Sequence, residues 1–187
     1  MRVLDFDNTI YDGESVIDFY LFSIKKKPAV LKYAPVVLYH FLKYKLRLTD
    51  MNDMIKVGEK YAAAYIGEFD NIPELVNEFW DKHMKRVKSW YKVQEDDLIL
   101  TASLNLIMDE ACRRLNVKNC ICSEFDLKTM KVTHINFSHN KKDIFREKFG
   151  KDAIIDEFYT DHAADKPMFE ISRNVFLVKG NKIKRVK

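Results

Sequence analysis

The sequence predicts an α/β protein, a Rossmann-like, doubly wound and mostly parallel sheet interrupted by an all-helical insertion. Three observations carry this. From Asp97 onward, apolar runs of strand length alternate with stretches of helical spacing. From Ser15 to about Trp90 the spacing is helical throughout, as in Val16, Phe19, Tyr20 and Ile24. Ahead of that block stands one short apolar run, Arg2 to Phe6, which ends in carboxylates. If this run joins the sheet of the second half, residues 1–12 and 93–187 form the core and residues 13–92 are an insertion after the first strand. Open α/β sheets bind ligands beyond the C-terminal ends of their strands, so the insertion would stand over the binding edge.

In chain order, Arg2 to Phe6 is the first strand. Pro28, Pro35 and Pro73, with the cap-like pairs Thr49-Asp50 and Asp70-Asn71, divide the insertion into helices near Ser15–Lys26, Ala29–Leu46, Met51–Tyr65 and Pro73–Lys92. Leu98 to Thr101 is the next strand and Leu104 to Leu115 the helix that follows. Asn119 to Ser123 is a strand, Lys131 to Phe137 an accessory strand, and Lys142 to Phe149 a helix closed by Gly150. Ile154 to Thr160, Val175 to Lys179 and Lys182 to Val186 complete the sheet.

A chain of 187 residues, 47% hydrophobic and 32% charged, can bury one sizeable core with a modest accessory unit. That composition excludes a disordered chain, and 4 Pro and 5 Gly are too few for long linkers. The net charge of +4 is small beside 32 basic and 28 acidic residues, and much of it lies in Lys25 to Lys27 and in the tail from Lys182. Such mild basicity suits small anions as readily as nucleic acid, and a solvated surface with a basic tail accounts for it, so no nucleic-acid partner is expected. Tyr33, Tyr39, Phe41 and Tyr44, with Lys43, Lys45 and Arg47, fit an aromatic core with basic flanks better than a stable membrane contact. Val36 to Leu42 is too short to span a bilayer. Charges follow Met1 too closely for a secretory leader, so a cytoplasmic protein is expected, with Cys112, Cys120 and Cys122 as reduced core thiols.

The chemistry begins with Asp5 and Asp7, alternating at a strand end with Thr9 in the following turn. Two carboxylates so close resist joint ionisation unless a cation neutralises them, and a hard, oxygen-ligated divalent ion such as Mg²⁺ would do so. Taken alone, the pair suits a solvated loop equally well. A second pair, Asp161 and Asp165, follows another strand. Between the pairs lie Thr101 with Ala102 and Ser103 at a strand end, and Lys141-Lys142 opening a helix. A hydroxyl, helix-start N–H groups and an ammonium are what a bound phosphoryl group requires.

In that order these segments resemble the four motifs of the haloacid dehalogenase superfamily of phosphohydrolases, in the branch that includes phosphoserine phosphatase. Asp5-Phe6-Asp7-Asn8-Thr9 is similar to the first, Leu98 to Ser103 to the second, Lys141 to the third and Asp161 to Asp165 to the fourth. The resemblance implies a helical cap in residues 13–92 and a small phosphorylated metabolite as substrate. It implies Asp5 as nucleophile, Asp7 as acid and base, and Asp5, Asp161 and the Asp7 carbonyl as Mg²⁺ ligands, with Asp165 ligating or supporting the ion. Thr9, Thr101, Ala102 and Lys141 would serve the phosphoryl group, and Glu14 stands where relatives carry a substrate-contacting acid. As a structural residue, Glu14 would instead be a first-turn helix acid favoured by the dipole. Lys142 could replace Lys141, although Phe145 and Gly150 favour the register of Lys141. Thr160 and His162 depart from the fourth motif, where Gly precedes the first Asp and Ser or Gly follows it. A binding protein without turnover, and transfer of the phosphoryl group to an acceptor other than water, are the alternative functions.

Overall fold

The computed structural model describes residues 1–45, 51–137, 139–162 and 165–187. Seven strands form one sheet in the order β4-β3-β2-β1-β5-β6-β7: β1 Arg2–Leu4, β2 Asp97–Leu104, β3 Asn119–Asp126, β4 Lys131–His134, β5 Ile155–Thr160, β6 Ser172–Lys179 and β7 Lys182–Arg185. The five inner strands run parallel, and β4 and β7 pair antiparallel at the two edges. The doubly wound α/β architecture expected from the sequence is therefore present. It puts β1 at the centre, with Leu4 opposite Ile99 of β2 on one side and Tyr159 of β5 on the other. Three strand ends thus converge where β1 stops.

Alternation along the strands divides the interior into two apolar layers. Val3, Leu98 and Leu100 face Phe145, Phe158, Met168 and Val175 in one. Leu4, Phe6 and Ile99 face the other, which α5 (Asn105–Leu115) shares with three of the helices lying between β1 and β2. Those helices are α1 Ser15–Lys26, α2 Ala34–Lys45, α3 Met51–Ile66 and α4 Ile72–His83, with a 3₁₀ segment at Pro28–Tyr33. Trp80 of α4 sits at the joint, fully buried, its indole N–H donating to the Ile107 carbonyl of α5 at 2.8 Å. Its ring meets Phe6, Tyr11 and Phe79 edge-on. Trp80→Ala is expected to cost about 3–5 kcal/mol in urea unfolding, since it empties the contact between helical block and sheet.

Several boundaries differ from the sequence reading, each for a local reason. Strand β1 stops at Leu4 because the amides of Ile10 and Tyr11 both turn back to the Phe6 carbonyl. The predicted helix Ala29–Leu46 is two elements, a 3₁₀ segment opened by Pro28 and a helix with Pro35 in its first turn, where a missing N–H does no harm. Helix α4 starts as expected, with the Asn71 side chain accepting from Glu74 N at 3.1 Å. It ends at His83, not Lys92, because Val87 and Lys88 leave to pair with Tyr11 and Ile10. Strand β2 runs on to Leu104, β6 begins at Ser172, and the short helix α7, Lys166–Glu170, was not anticipated. Helix α6, His139–Phe149, closes at Gly150, whose φ of +101° suits glycine. The Thr49-Asp50 cap, Leu46 and Arg47, and the side chains of Phe41, Tyr44 and Lys45, lie outside the described residues. Tyr33 is half-buried and packs on Tyr61 and Tyr65, whereas Tyr39 is exposed. Cys112 and Cys122 are buried and Cys120 half-buried, all as free thiols. Among the described residues no helix is long and apolar enough to cross a membrane.

Candidate active site

Asp5 follows β1 directly and is buried. Its amide still extends the sheet by donating to Tyr159 O at 2.9 Å, so backbone pairing fixes the side chain's starting point. Lys141, at the start of α6 and 4% exposed, reaches it with Nζ 2.9 Å from Asp5 Oδ1 and 3.1 Å from the Asp165 carboxylate. Phe145, one turn on, is fully buried and anchors the helix. Lys142 points elsewhere, pairing with Glu170 at the surface. Of the two lysines, Lys141 is the one brought to the carboxylates.

Burial pushes the Asp5 carboxyl up to about 7; Lys141 pulls it down, while the charges of Asp165 and Asp7 push it further up. Burial would lower Lys141, but the Asp5 and Asp165 carboxylates outweigh it and hold the ammonium above its ordinary value. The cluster thus carries more buried negative charge than its one paired ammonium balances.

Asp7 is held apart from this pair. Ser15 N, opening α1, donates to Oδ1 at 2.6 Å, and the Ser103 hydroxyl donates to Oδ2 at 2.6 Å. The two serine hydroxyls also meet each other at 2.9 Å. Burial raises the Asp7 carboxyl, against these hydrogen bonds, which lower it. Thr101 is buried, its Oγ1 accepting from Ser103 N at 3.2 Å, and Ala102 beside it is exposed. The pairing of β2 with β3 shifts register between Leu100 and Leu104, so the two strands part at Thr101. Asn136 bridges the parting, its amide donating to Thr101 O at 2.8 Å and Ile121 O at 3.1 Å. Thr9 is fully buried, and its hydroxyl finds no partner among the described residues.

The turn after Asp7 is left-handed at Asn8, with φ 55°. Asn8 N donates to Gly13 O at 3.0 Å and Asn8 Nδ2 to Glu14 Oε1 at 2.6 Å. Gly13 has φ +142°, and a Cβ there would collide with the Arg86 guanidinium. Glu14 is the N-cap residue of α1, and its carboxyl makes no cap hydrogen bond. Burial and the charges of Asp7 and Asp161 raise it, the reverse of what stabilisation by the helix dipole would do. Its carboxylate is instead tied to Asn8, the residue after Asp7.

Asp161, after β5, is half-buried, and burial raises its carboxyl. Asp165 is turned inward to Lys141 and to the Thr160 hydroxyl, which donates to Oδ2 at 2.9 Å. Thr160, a departure from the resembled motif, thus tethers the second acid of its own segment. His162 is exposed, and its amide donates to Thr160 Oγ1 at 3.2 Å. Ala163 and Ala164, between the two acids, lie outside the described residues. Among the described residues no three His, Cys, Asp or Glu side chains stand as a ready-made metal cluster. Sequence reasoning left Ser15, Thr160, Asn136 and Lys88 without roles; Thr160, at a strand end, was visible only as a departure from the resembled motif.

A carboxylate–ammonium cluster stands at the carboxyl edge of a doubly wound sheet, the edge at which open α/β folds bind ligands. The family of haloacid dehalogenase-like hydrolases matches residues 3–170, and the chain belongs to that family. No curated protein matches the sequence. Among solved structures, a HAD family hydrolase from Salmonella enterica serovar Typhi is 14% identical, with 91% of this chain and 59% of that one aligned at TM-score 0.60. A protein of unknown function from Bordetella pertussis Tohama I is 14% identical over 91% of this chain and 85% of its own, at TM-score 0.63. A phosphoserine phosphohydrolase-like protein from Francisella tularensis is 16% identical over 93% and 84%, at TM-score 0.59. This chain thus spans 59% of the length of the Salmonella hydrolase. These likenesses establish the fold.

Proposed function

We propose that this chain is a magnesium-dependent phosphatase that hydrolyses a small phosphomonoester through an aspartyl-phosphate on Asp5. The observation that carries the reading is the separation of two neighbouring aspartates into different environments, buried Asp5 against Lys141 and half-buried Asp7 against Ser15 and Ser103. Two carboxyl groups so divided can take two chemical roles.

The donor set is all oxygen; burial first, and the Asp165 and Asp7 charges after it, raise the Asp5 carboxyl, and a hard divalent cation would offset both. Asp5, Asp161 and the main-chain carbonyl of Asp7 would hold Mg²⁺, and Asp165, already engaged by Lys141 and Thr160, would support them. The bound ion would supply positive charge that lets an anionic phosphoryl group approach a carboxylate.

In the reaction, a carboxylate oxygen of Asp5 attacks phosphorus and the bond to the leaving oxygen breaks. Asp7, whose carboxyl burial raises above its ordinary value, gives its proton to that oxygen. Asp7, now a carboxylate, then takes a proton from water, whose oxygen attacks the acyl-phosphate and frees Asp5 and inorganic phosphate. Lys141 pulls the Asp5 carboxyl toward its ionised form and, with the hydroxyls of Thr101 and Thr9, faces the phosphoryl oxygens; the Thr9 hydroxyl, without a partner among the described residues, supports that role. Helices α1 to α4 act as a cap over the site, residues 13–92, and Glu14 at its edge meets the substrate. A small phosphorylated metabolite is the partner, with no nucleic acid and no stable membrane association. Free thiols suit a cytoplasmic setting.

The test is phosphate release from p-nitrophenyl phosphate or acetyl phosphate. Release that requires Mg²⁺ and stops in EDTA is the expected result; no turnover across a broad phosphate panel would leave a binding protein on this fold.

A further inference from the structure

Lys88 is a second buried lysine at this site, and nothing above gives it a role. It is 6% exposed, yet among the described residues no carboxylate lies within ion-pair distance of it. Burying an ammonium without a counter-charge is costly, so such a residue is kept for what its N–H groups hold. What they hold is the carbonyl of Asn8, the residue next to Asp7 and 80 positions away in sequence. The acids its charge senses, Asp12 and Asp161, lie farther off, and burial lowers its ammonium from the ordinary value.

The surrounding backbone explains why Lys88 can act on this turn. Lys88 N donates to Ile10 O at 2.8 Å, Val87 bridges Tyr11, and Asp12 N donates to Arg86 O at 2.9 Å. The chain leaving the helical block is therefore paired, residue against residue, with the loop that follows Asp7. Within that pairing Asn8 occupies a left-handed conformation, one that asparagine tolerates better than other residues with a side chain. Gly13 fixes the amide of Asn8, Glu14 its side chain and Lys88 its carbonyl.

We infer that Lys88 is a positioning residue for proton transfer: by holding the Asn8 carbonyl it sets the turn that carries Asp7, and so the path of the proton from Asp7 to the leaving oxygen. It does not touch the substrate. The inference rests on the phosphatase reading and adds to it a reason for the helical block's last segment to pair with the catalytic loop.

The experiment compares kcat/KM for p-nitrophenyl phosphate and phenyl phosphate, in the full chain with Mg²⁺, for wild type, Lys88→Met and Lys88→Arg. The two esters are alike in shape. Nitrophenolate departs without a proton, whereas phenolate, about as basic as a tyrosine side chain with a pKa of about 10, needs one. In Lys88→Met the phenyl phosphate value is expected to fall about tenfold more than the p-nitrophenyl phosphate value, a fraction of what general acid catalysis supplies. Lys88→Arg, which keeps a donor on a long stem, is expected to restore the ratio to within about threefold of wild type. A merely structural role would lower both substrates by one factor, and that result overturns the inference, as does no loss on either. If Lys88→Met does not fold, Lys88→Gln is read for the same ratio by the same criteria. Wild type that turns over neither ester overturns the phosphatase reading and this inference together; a working wild type with an unchanged ratio in the variants overturns this inference alone.

Discussion

Asp5→Asn is expected to lower magnesium-dependent phosphate release by at least about 1,000-fold while leaving the chain folded. An amide cannot form the acyl-phosphate, so the loss should appear in kcat with every substrate. The fold should tolerate the change because the carboxylate it removes is buried and repelled by Asp165 and Asp7, while Lys141 keeps Asp165 as its partner. Without metal, Asp5→Asn is expected to melt at or above the wild-type temperature near neutral pH. The sign follows from linkage. The Asp5 carboxyl titrates at about 7 in the fold against 3.8 in the reference chain, so folding favours its protonated form. That contribution is complete below 3.8 and is lost as pH rises through about 7. Thermal melting from pH 5 to pH 8 in EDTA should show wild type losing stability that the Asn variant keeps.

Lys141→Met is expected to be damaging in both activity and stability. It removes the ammonium that binds Asp5 and Asp165, both buried, and leaves their charges without a counterpart. Breaking a buried pair from one side costs about 3–5 kcal/mol. The penalty should grow from pH 5 to pH 8, as the Asp5 carboxyl, pushed up to about 7 by burial, is asked to ionise without a cation. Activity should fall about 100-fold or more, because Asp5 then stays protonated and the transferring oxygens lose a charged donor. Lys142→Met serves as the control: its partner, Glu170, is on the surface, and both activity and melting temperature should stay near wild type.

The fold was legible because its signals are local. Strand runs such as Leu98 to Thr101 and the helical spacing of Ser15–Lys26 depend on residues adjacent in sequence, and the order of elements then leaves few topologies. Helix α4 was overrun because its end is decided at long range, where Val87 meets Tyr11 and Lys88 meets Ile10. The same separation governs the site. Asp5, Asp7, Asp161 and Asp165 are visible as paired acids at strand ends, and the structure gathers them around β1 and β5. Thr160 looked like a defect in its segment because a sequence cannot show that its hydroxyl meets Asp165. Ser15 and Ser103 looked like ordinary small residues, although together they hold Asp7 from elements 88 positions apart. Lys88 carried no signal at all, since only the folded chain reveals a lysine buried without an acid.

The claim that Asp5 is the nucleophile is tested most directly by trapping its phosphate. Wild type mixed with acetyl phosphate and Mg²⁺, quenched in acid within the first turnover and digested, should yield the N-terminal peptide with one added phosphoryl group on Asp5. Asp5→Asn should yield none. Phosphate release from wild type with no phosphoryl group on Asp5 at any time in the burst, or release by Asp5→Asn at the wild-type rate, would contradict the account.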